Sequence, residues 1–165
     1  MAKEVAFRGD MAWASNMYEV PITFDDTKHN LRDIFPQFKF DGLEYPSSEH
    51  LYQSLKATNE EDKELIRTAP NSHHSKQVAR TVFCRMDWDS VKVEAMRLTL
   101  YLKFYQHPDL LLKLIETGRT PLIETNWWGD KFWGVCNGVG ENWLGRLLME
   151  LRANSKLLLR LDTNF

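Results

Sequence analysis

The pattern of apolar residues changes at Ser47, and this change limits the fold more than any other feature of the sequence. Before it, the segments 18–24 and 38–45 mix β-branched and aromatic residues, as strands do. After it, apolar residues recur every three or four positions, as on one face of a helix. The longest such run has Val91, Ala95, Leu98, Leu102 and Tyr105. The sequence therefore predicts an α+β fold, mostly α-helical, with a small antiparallel sheet near the N-terminus.

Turn and capping residues place the elements along the chain. Asp41-Gly42, inside the second apolar segment, predicts a hairpin turn between Phe40 and Leu43. A first helix, capped by Ser47 or Ser48, is predicted to run to about Thr58. Further helices are predicted from Asn59, over 75–86, from Asp89, from Pro108-Asp109 to a stop at Gly118, and over 142–152. The glycine-rich segment 126–142 is predicted to be a loop. Since no repeat or linker interrupts the 165 residues, we expect a single domain over 1–165, with its core at about 5–153.

Charge and composition exclude some classes of protein. The net charge is −2 and no stretch is a run of basic residues, which argues against non-specific binding to nucleic acid. The N-terminus lacks the apolar core of a secretory signal, and no apolar run approaches the length that spans a membrane. Two cysteines do not make a disulfide framework. We expect a cytoplasmic protein that makes no contact with a membrane.

The first candidate site lies on the helix that begins near Ser47. Glu49, Gln53 and Lys56 are four and three residues apart and share one stripe of this helix. Spacing alone favours a stripe that faces solvent. A carboxylate in the first turn is nevertheless stabilised as an anion by the helix dipole, which suits a base or a group that stabilises a cation. Both interpretations stay open at this level.

The second candidate site is the aromatic segment near 126–142. Four of the six tryptophans fall between 127 and 143, and Glu124 and Asp130 lie close to Trp133 in the sequence. A loop wrapped around a ring-shaped ligand and a purely structural loop explain this composition equally well. The segment 138–145 matches neither nucleotide-binding fingerprint. The histidines show no metal-ligand spacing, so we do not expect a metal site.

Several sequence motifs follow one another in an order that spans nearly the whole chain. They are "SNM" (15–17), "YPSSEHLYQSLKA" (45–57), the helix from Trp88 to Gly118, "LIE" followed by "DKFWG", and "GVGENWLGRLLMELR" (138–152). Together they resemble the YbiA-like NADAR family. The resemblance implies that family's fold and an N-glycosidase, which hydrolyses the bond between ribose C1 and a nitrogen. Substrates of the family are phosphorylated ribosylaminouracil intermediates of riboflavin synthesis and ADP-ribose attached to nucleobases.

The resemblance also assigns residues. It implies that Glu49 and Asp130 are catalytic, Glu49 by stabilising the sugar cation and accepting a proton from water. With the stripe and loop residues above, the predicted substrate-binding set is Phe7, Arg8, Gly9, Asn16, Gln53, Lys56, Trp88, Glu124, Trp133, Gly134, Gly138 and Asn142. The implied hydrolysis needs no metal or organic cofactor. The partner is then a small ribosylated or ADP-ribose-like molecule, with nucleic acid only as a modified substrate. The motifs do not predict an oligomeric state.

Departures from the family pattern leave the substrate open. Met17 replaces the aromatic residue of the usual S-N-F, and Val135-Cys136 follows Trp-Gly where many members have glycine or aspartate. An insertion at 25–35 can change the rim of the pocket. One alternative is a hydrolase that removes ADP-ribose from guanine. Another is a module that binds NAD or ADP-ribose without turnover, although the presence of both Glu49 and Asp130 argues against an inactive site.

Overall fold

The computed structural model describes residues 6–25 and 29–162, with side chains as far as Ser155. Part of the predicted insertion, residues 26–28, and the ends of the predicted domain, residues 1–5 and 163–165, lie outside the described residues. The chain forms two compact units. One is Asn16–Gln106, and the other combines the residues up to Ser15 with those from His107 onward. The prediction of a single domain stays a prediction.

The unit of Asn16–Gln106 contains a small sheet and most of the short helices. Its elements are β1 (Ile22–Thr23), α1 (Leu31–Ile34), β2 (Glu44–Tyr45), α2 (Ser48–Ser54), α3 (Glu60–Arg67), α4 (Ser72–Ala79) and α5 (Trp88–Gln106). Strands β1 and β2 are antiparallel, with Ile22 opposite Tyr45. Helix α2 packs against α3, α4 and α5. All seven residues of α2 are buried, so this helix lies at the centre of the unit.

Capping side chains begin three of these helices. The side chains of Ser47, Asn59 and Asn71 each accept a hydrogen bond from the backbone N–H three residues later. The predicted starts at Ser47 and Asn59 are therefore confirmed. Helix α2 ends before the predicted Thr58, because the chain leaves the helix and Ala57 forms an antiparallel bridge with Cys84. The predicted third helix, 75–86, is also shifted: α4 covers Ser72–Ala79, and Cys84 lies in the bridge with Ala57.

The predicted hairpin around Asp41-Gly42 is wrong. Gly42 does adopt a positive φ of 70°, and Oδ1 of Asp41 accepts a hydrogen bond from the backbone of Leu43. The residues on either side of this turn, however, do not pair with each other. The backbone of Phe24 bonds to both Gly42 and Leu43, because the rings of Phe24 and Phe40 pack together in the core with centroids 4.5 Å apart.

Within residues 6–15 and 107–162, the second unit has one short 3₁₀ helix, two α-helices and a pair of strands. Its elements are the 3₁₀ helix Gly9–Ala14, α6 (Pro108–Glu116), β3 (Thr125–Asn126), β4 (Val135–Cys136) and α7 (Trp143–Asp162). Helix α6 begins at Pro108 and stops just before Gly118, whose φ is 62°, as predicted. Helices α6 and α7 pack through buried leucines. The parallel pair β3–β4 was not expected, because all of it except Thr125 lies within the predicted loop.

The predicted fold class is confirmed. The protein is α+β and mostly helical, with a small antiparallel sheet, β1–β2, in its first 45 residues. Among the helices that the structure describes, none has the length and apolar character needed to cross a membrane.

Candidate active site

Glu49 and Gln53 do not face solvent. Glu49 is 6% exposed and Gln53 is 3% exposed. Nε2 of Gln53 donates a hydrogen bond of 2.6 Å to Oε1 of Glu49. The backbone N–H of Glu49 donates to the carbonyl oxygen of Asn16, at 3.2 Å. The solvent-facing interpretation of this stripe is therefore wrong for these two residues, since α2 is surrounded by α3, α4 and α5.

The position of Glu49 in the first turn of α2 supports a negative charge. The side chain of Ser47 caps the helix by accepting from the N–H of His50, 3.2 Å away. The remaining N–H groups of the first turn give this end of the helix a partial positive charge. A carboxylate held here by the Gln53 amide is oriented and stabilised without an ion-pair partner on the same helix. Such a group can face a developing cation or accept a proton from water.

Two buried oxygen atoms near Glu49 have no hydrogen-bond donor among the described residues. They are Oδ1 of Asn16 and Oε1 of Gln53, both on side chains that are at least nine-tenths buried. The nitrogen atoms of the same two amides are in contact, with Sδ of Met96 and with Glu49 respectively. A buried acceptor without a donor costs about 1–3 kcal/mol. Hydroxyl groups of a ligand would satisfy both atoms.

Lys56 and Trp88 lie together in the same unit. Nζ of Lys56 is 5.5 Å from the centroid of the Trp88 ring and 5.7 Å from that of Tyr52, whose ring also packs on Trp88. Burial lowers the pKa of Lys56, and the negative charge of Glu49 opposes this shift. The arrangement places a partly buried cation against two aromatic rings, within electrostatic reach of the Glu49 carboxylate.

Asp130 organises the aromatic loop of the other unit. Its Oδ1 accepts hydrogen bonds from the backbone N–H groups of Phe132, at 3.1 Å, and Trp133, at 2.9 Å. The buried side chain of Asn126 bonds to both the N–H and the carbonyl oxygen of Asp130. Sequence reasoning missed Asn126, although asparagine beside a glycine-rich segment is a known turn-forming signal. These bonds hold Trp133 at a defined position.

Among the acidic side chains that the structure describes in that unit, Glu124 has the most strongly shifted pKa. Burial raises its pKa to about 7; the positive charge of Arg8 lowers it, and the negative charge of Asp130 adds to the increase. Its Oε2 is buried and has no hydrogen-bond partner within the described part of the chain. A carboxyl group with this pKa is partly protonated at neutral pH and can donate a proton or a hydrogen bond.

Gly134 and Asn142 let the chain approach Glu124 closely. A Cβ atom on Gly134 would lie 2.2 Å from the carbonyl oxygen of Glu124, so only glycine fits there. The Asn142 side chain accepts from the N–H of Glu124, at 3.0 Å, and donates to the carbonyl oxygen of Leu122, at 2.9 Å. Both predicted residues thus support the backbone at Glu124.

The remaining predicted residues of this unit differ in exposure. Phe7 is buried, whereas Arg8 and Gly9 are exposed. The guanidinium of Arg8 donates to the carbonyl oxygen and to Oγ1 of Thr125, another contact that the sequence did not predict. Gly138 is exposed and has a φ of 76°.

Comparison with known proteins decides the family. The family model for the NADAR domain matches residues 6–156, which is most of the chain. The chain belongs to the NADAR family. The resemblance stated from the motifs is thereby confirmed.

Relatives of this NADAR chain include enzymes and a solved structure. N-glycosidase YbiA of Shigella sonnei is 37% identical over 144 residues, which cover 82% of this chain and 89% of that protein. A riboflavin biosynthesis protein of Vibrio vulnificus is 35% identical over 84% of this chain, but the match covers 39% of that longer protein. The NMR structure of Escherichia coli YbiA has a TM-score of 0.74 and 32% identity, covering 93% of this chain and 83% of that one.

The structure describes all fourteen predicted NADAR site residues, in two sets. Asn16, Glu49, Gln53, Lys56 and Trp88 lie in the unit of Asn16–Gln106, and the contacts above connect them. The other nine belong to the unit that includes His107 onward, where Glu124, Asp130, Gly134 and Asn142 are linked through the aromatic loop. Over residues 6–25 and 29–162, no group of three or more His, Cys, Asp or Glu side chains is placed to hold a metal ion. The catalytic and binding roles stay predictions.

Proposed function

We propose that this protein is an N-glycosidase that hydrolyses the C1–N bond of a phosphorylated ribosylaminouracil. The enzyme class follows from its family and from relatives named as N-glycosidases. The choice of substrate is supported by the relative named as a riboflavin biosynthesis protein. The observation that carries the catalytic assignment is the buried Glu49 carboxylate, oriented by the Gln53 amide at the N-terminus of α2.

The chemistry of the reaction requires such a carboxylate. When the C1–N bond breaks, its electron pair leaves with the nitrogen and positive charge develops on the ribose ring. Glu49 stabilises this charge and accepts a proton from a water molecule as the water oxygen bonds to C1. The departing nitrogen takes up one proton, so the reaction consumes one water and releases the ribose phosphate and the amine.

The two amide oxygens without donors support a sugar substrate. Oδ1 of Asn16 and Oε1 of Gln53 can each accept a hydrogen bond from a ribose hydroxyl. A ribose that satisfies them recovers the cost of burying them, which favours ribosides over sugars that lack these hydroxyls. We assign ribose recognition to this pair.

Lys56 and Trp88 suit the remaining parts of the substrate. The ammonium group of Lys56 pairs with the phosphate, and the ring of Trp88 provides an apolar wall. Asp130 is the second catalytic residue that the resemblance implies, by orienting ribose hydroxyls or by assisting at the departing nitrogen. Because its Oδ1 also holds the loop backbone, Asp130→Asn is the variant that tests its charge and keeps that acceptor.

A panel of substrates tests the proposal. The purified protein is incubated with ribosylaminouracil phosphates, ADP-ribosylated guanosine and NAD, and the released base is measured by chromatography. We expect release from the ribosylaminouracil phosphates, and release that is slower by about 10²–10⁴ with the Glu49→Gln protein. Release only from ADP-ribosylated guanosine would replace the proposed substrate, and binding without release from any compound would show a binding module.

A further inference from the structure

Two adjacent tryptophans of the aromatic loop are exposed. Trp127 is 72% exposed and Trp128 is 53% exposed. Their rings meet edge to face, with centroids 4.9 Å apart and an interplanar angle of 83°. Tryptophan side chains are usually well buried, so two neighbouring exposed rings form an apolar surface that requires an explanation. Neither residue belongs to the predicted active-site set.

A cation is held against this surface. Cζ of Arg8 lies 4.8 Å from the centroid of the Trp127 ring. The same guanidinium donates hydrogen bonds to the carbonyl oxygen of Thr125, at 3.2 Å, and to its Oγ1, at 3.3 Å. Arg8 is itself exposed. The large open area of Trp127, despite this contact, leaves ring surface for a second flat group.

The backbone beneath the two rings is fixed before any ligand arrives. Thr125 and Asn126 form β3, which pairs with β4 in a parallel ladder. The side chain of Asn126 bonds to the backbone of Asp130 and so closes the turn that carries both tryptophans. A surface that is already ordered loses little conformational entropy on binding, which favours recognition of a small ligand.

We propose that Trp127, Trp128 and Arg8 form a binding site for the nucleobase of a mononucleotide. The base stacks on the open face of Trp127 and contacts Trp128, and the phosphate pairs with the Arg8 guanidinium. Stacking on an aromatic side chain suits any base, since every base has a π-face. Guanidinium and phosphate form strong charge-assisted hydrogen bonds.

The charge balance argues for a single nucleotide rather than a nucleic-acid strand. A strand requires several cations that neutralise successive phosphates. The chain has a net charge of −2 and no run of basic residues. The proposed site offers one cation beside two rings, which matches one phosphate and one base. Of its three residues only Arg8 belongs to the predicted substrate-binding set, and the proposed hydrolysis is assigned to other residues. AMP binding therefore tests this site separately from turnover.

NMR titration of AMP into the protein tests the site. Stacking on an indole shifts the adenine protons upfield, and we expect this shift with the unmodified protein. Trp127→Ala should abolish the shift and weaken AMP binding by roughly 5- to 150-fold, the range for loss of one base–aromatic stack. Trp127→Phe should retain part of the upfield shift and part of the affinity for AMP, because phenylalanine keeps a π-face. Arg8→Gln should reduce the affinity for AMP to that for adenosine.

Controls separate the site from other ways of binding AMP. Phe83→Ala removes another exposed aromatic ring, 83% exposed, and should leave AMP binding unchanged. Ribose 5-phosphate, which lacks a base, should bind equally to the unmodified protein and to Trp127→Ala. Circular dichroism melting shows whether each variant is folded, and Trp128→Ala provides a second test of the same surface.

Three results would overturn the proposal. The first is equal AMP affinity in the unmodified protein and in Trp127→Ala. The second is much tighter, Trp127-dependent binding of a single-stranded oligonucleotide, which would indicate a strand instead of a mononucleotide. The third is a concentration-dependent dimer, measured by light scattering, that Trp127→Ala abolishes, because a second copy would then cover the rings.

Discussion

The amide of Gln53 donates a 2.6 Å hydrogen bond to the carboxylate of Glu49, one helical turn earlier, and both residues are almost fully buried. Residues four apart on a helix are neighbours, so this bond forms within α2 itself. A hydrogen bond to a charged group contributes about 1.5–3 kcal/mol. The bond therefore restricts the orientation of the carboxylate to which we assign the central chemical role.

Glu49→Gln should abolish most of the activity and leave the fold intact. The substituted amide has the same shape and its oxygen can still accept from Gln53, but it cannot accept a proton from water or face a cation as an anion. We expect kcat to fall by about 10²–10⁴. Released base measures activity, and thermal melting measures folding. Glu61→Gln, an exposed first-turn glutamate of α3, is the matched control. Full activity in Glu49→Gln would refute the assignment.

Gln53→Leu should show whether Gln53 positions the Glu49 carboxylate for catalysis or only stabilises the fold. Leucine removes the donor to Glu49, so kcat should fall about 10- to 150-fold, the equivalent of one hydrogen bond to a charged group, about 1.5–3 kcal/mol. It also removes the buried Oε1 atom that has no donor among the described residues, which costs about 1–3 kcal/mol. Because this gain offsets the lost hydrogen bond to Glu49, the melting temperature should change little. Gln77→Leu, on the exposed side of α4, is the control. A much lower melting temperature with an unchanged kcat would show that the role of Gln53 is only structural.

Lys56→Met should weaken binding of phosphorylated substrates. Methionine keeps an apolar chain against Trp88 and Tyr52 but has no charge. We expect KM for a phosphorylated riboside to rise roughly 10- to 150-fold, and KM for the unphosphorylated riboside to stay the same. Lys39→Met, at a side chain that is 83% exposed, should change neither. Equal effects on both substrates would exclude phosphate recognition by Lys56.

Gly134→Ala should destabilise the protein through the backbone at Glu124. The added Cβ would lie 2.2 Å from the Glu124 carbonyl oxygen and 2.8 Å from Nδ2 of Asn126, so the chain must shift. Overpacking of this kind costs about 1–3 kcal/mol. The melting temperature should fall by roughly 2–12 °C. Val139→Ala, an exposed position in the same loop, should have almost no effect, and an unchanged melting temperature in Gly134→Ala would contradict the close approach.

Glu124 should make stability depend on pH. Its pKa is raised from an ordinary value of 4.5 to about 7 in the folded protein, so between these values the folded state binds more protons than the unfolded state. The contribution of Glu124 to the free energy of unfolding is therefore fully present below pH 4.5 and is lost as the pH rises through about 7.

Urea denaturation between pH 4 and pH 8 measures this contribution. Relative to the unmodified protein, Glu124→Gln should gain stability progressively as the pH rises through this range, because glutamine stays neutral. Glu141→Gln, an exposed glutamate after the same loop, should follow the unmodified protein at every pH. Parallel curves for Glu124→Gln and the unmodified protein would show that Glu124 titrates at its ordinary value.

Local signals in the sequence predicted the helices well and the strand pairing poorly. Ser47 and Asn59 begin helices, and Gly118 follows the end of one, because capping depends on residues only a few positions apart. The supposed hairpin at Asp41-Gly42 failed because Phe24, distant in sequence, takes the backbone bonds of that turn. The parallel pair β3–β4 was missed for a related reason, since two-residue strands carry no periodic pattern.

The order of motifs and the helical periodicity by themselves determined the family and the mostly helical α+β class. Both the family motifs and the helical periodicity depend on the spacing of residues within short segments of the chain, which the sequence shows directly. Tertiary structure alone decided that Glu49 and Gln53 are buried rather than solvent-facing, because burial depends on α3, α4 and α5 packing around α2. The raised pKa of Glu124 was likewise unpredictable, since it arises from burial and from neighbouring charges that only folding brings together.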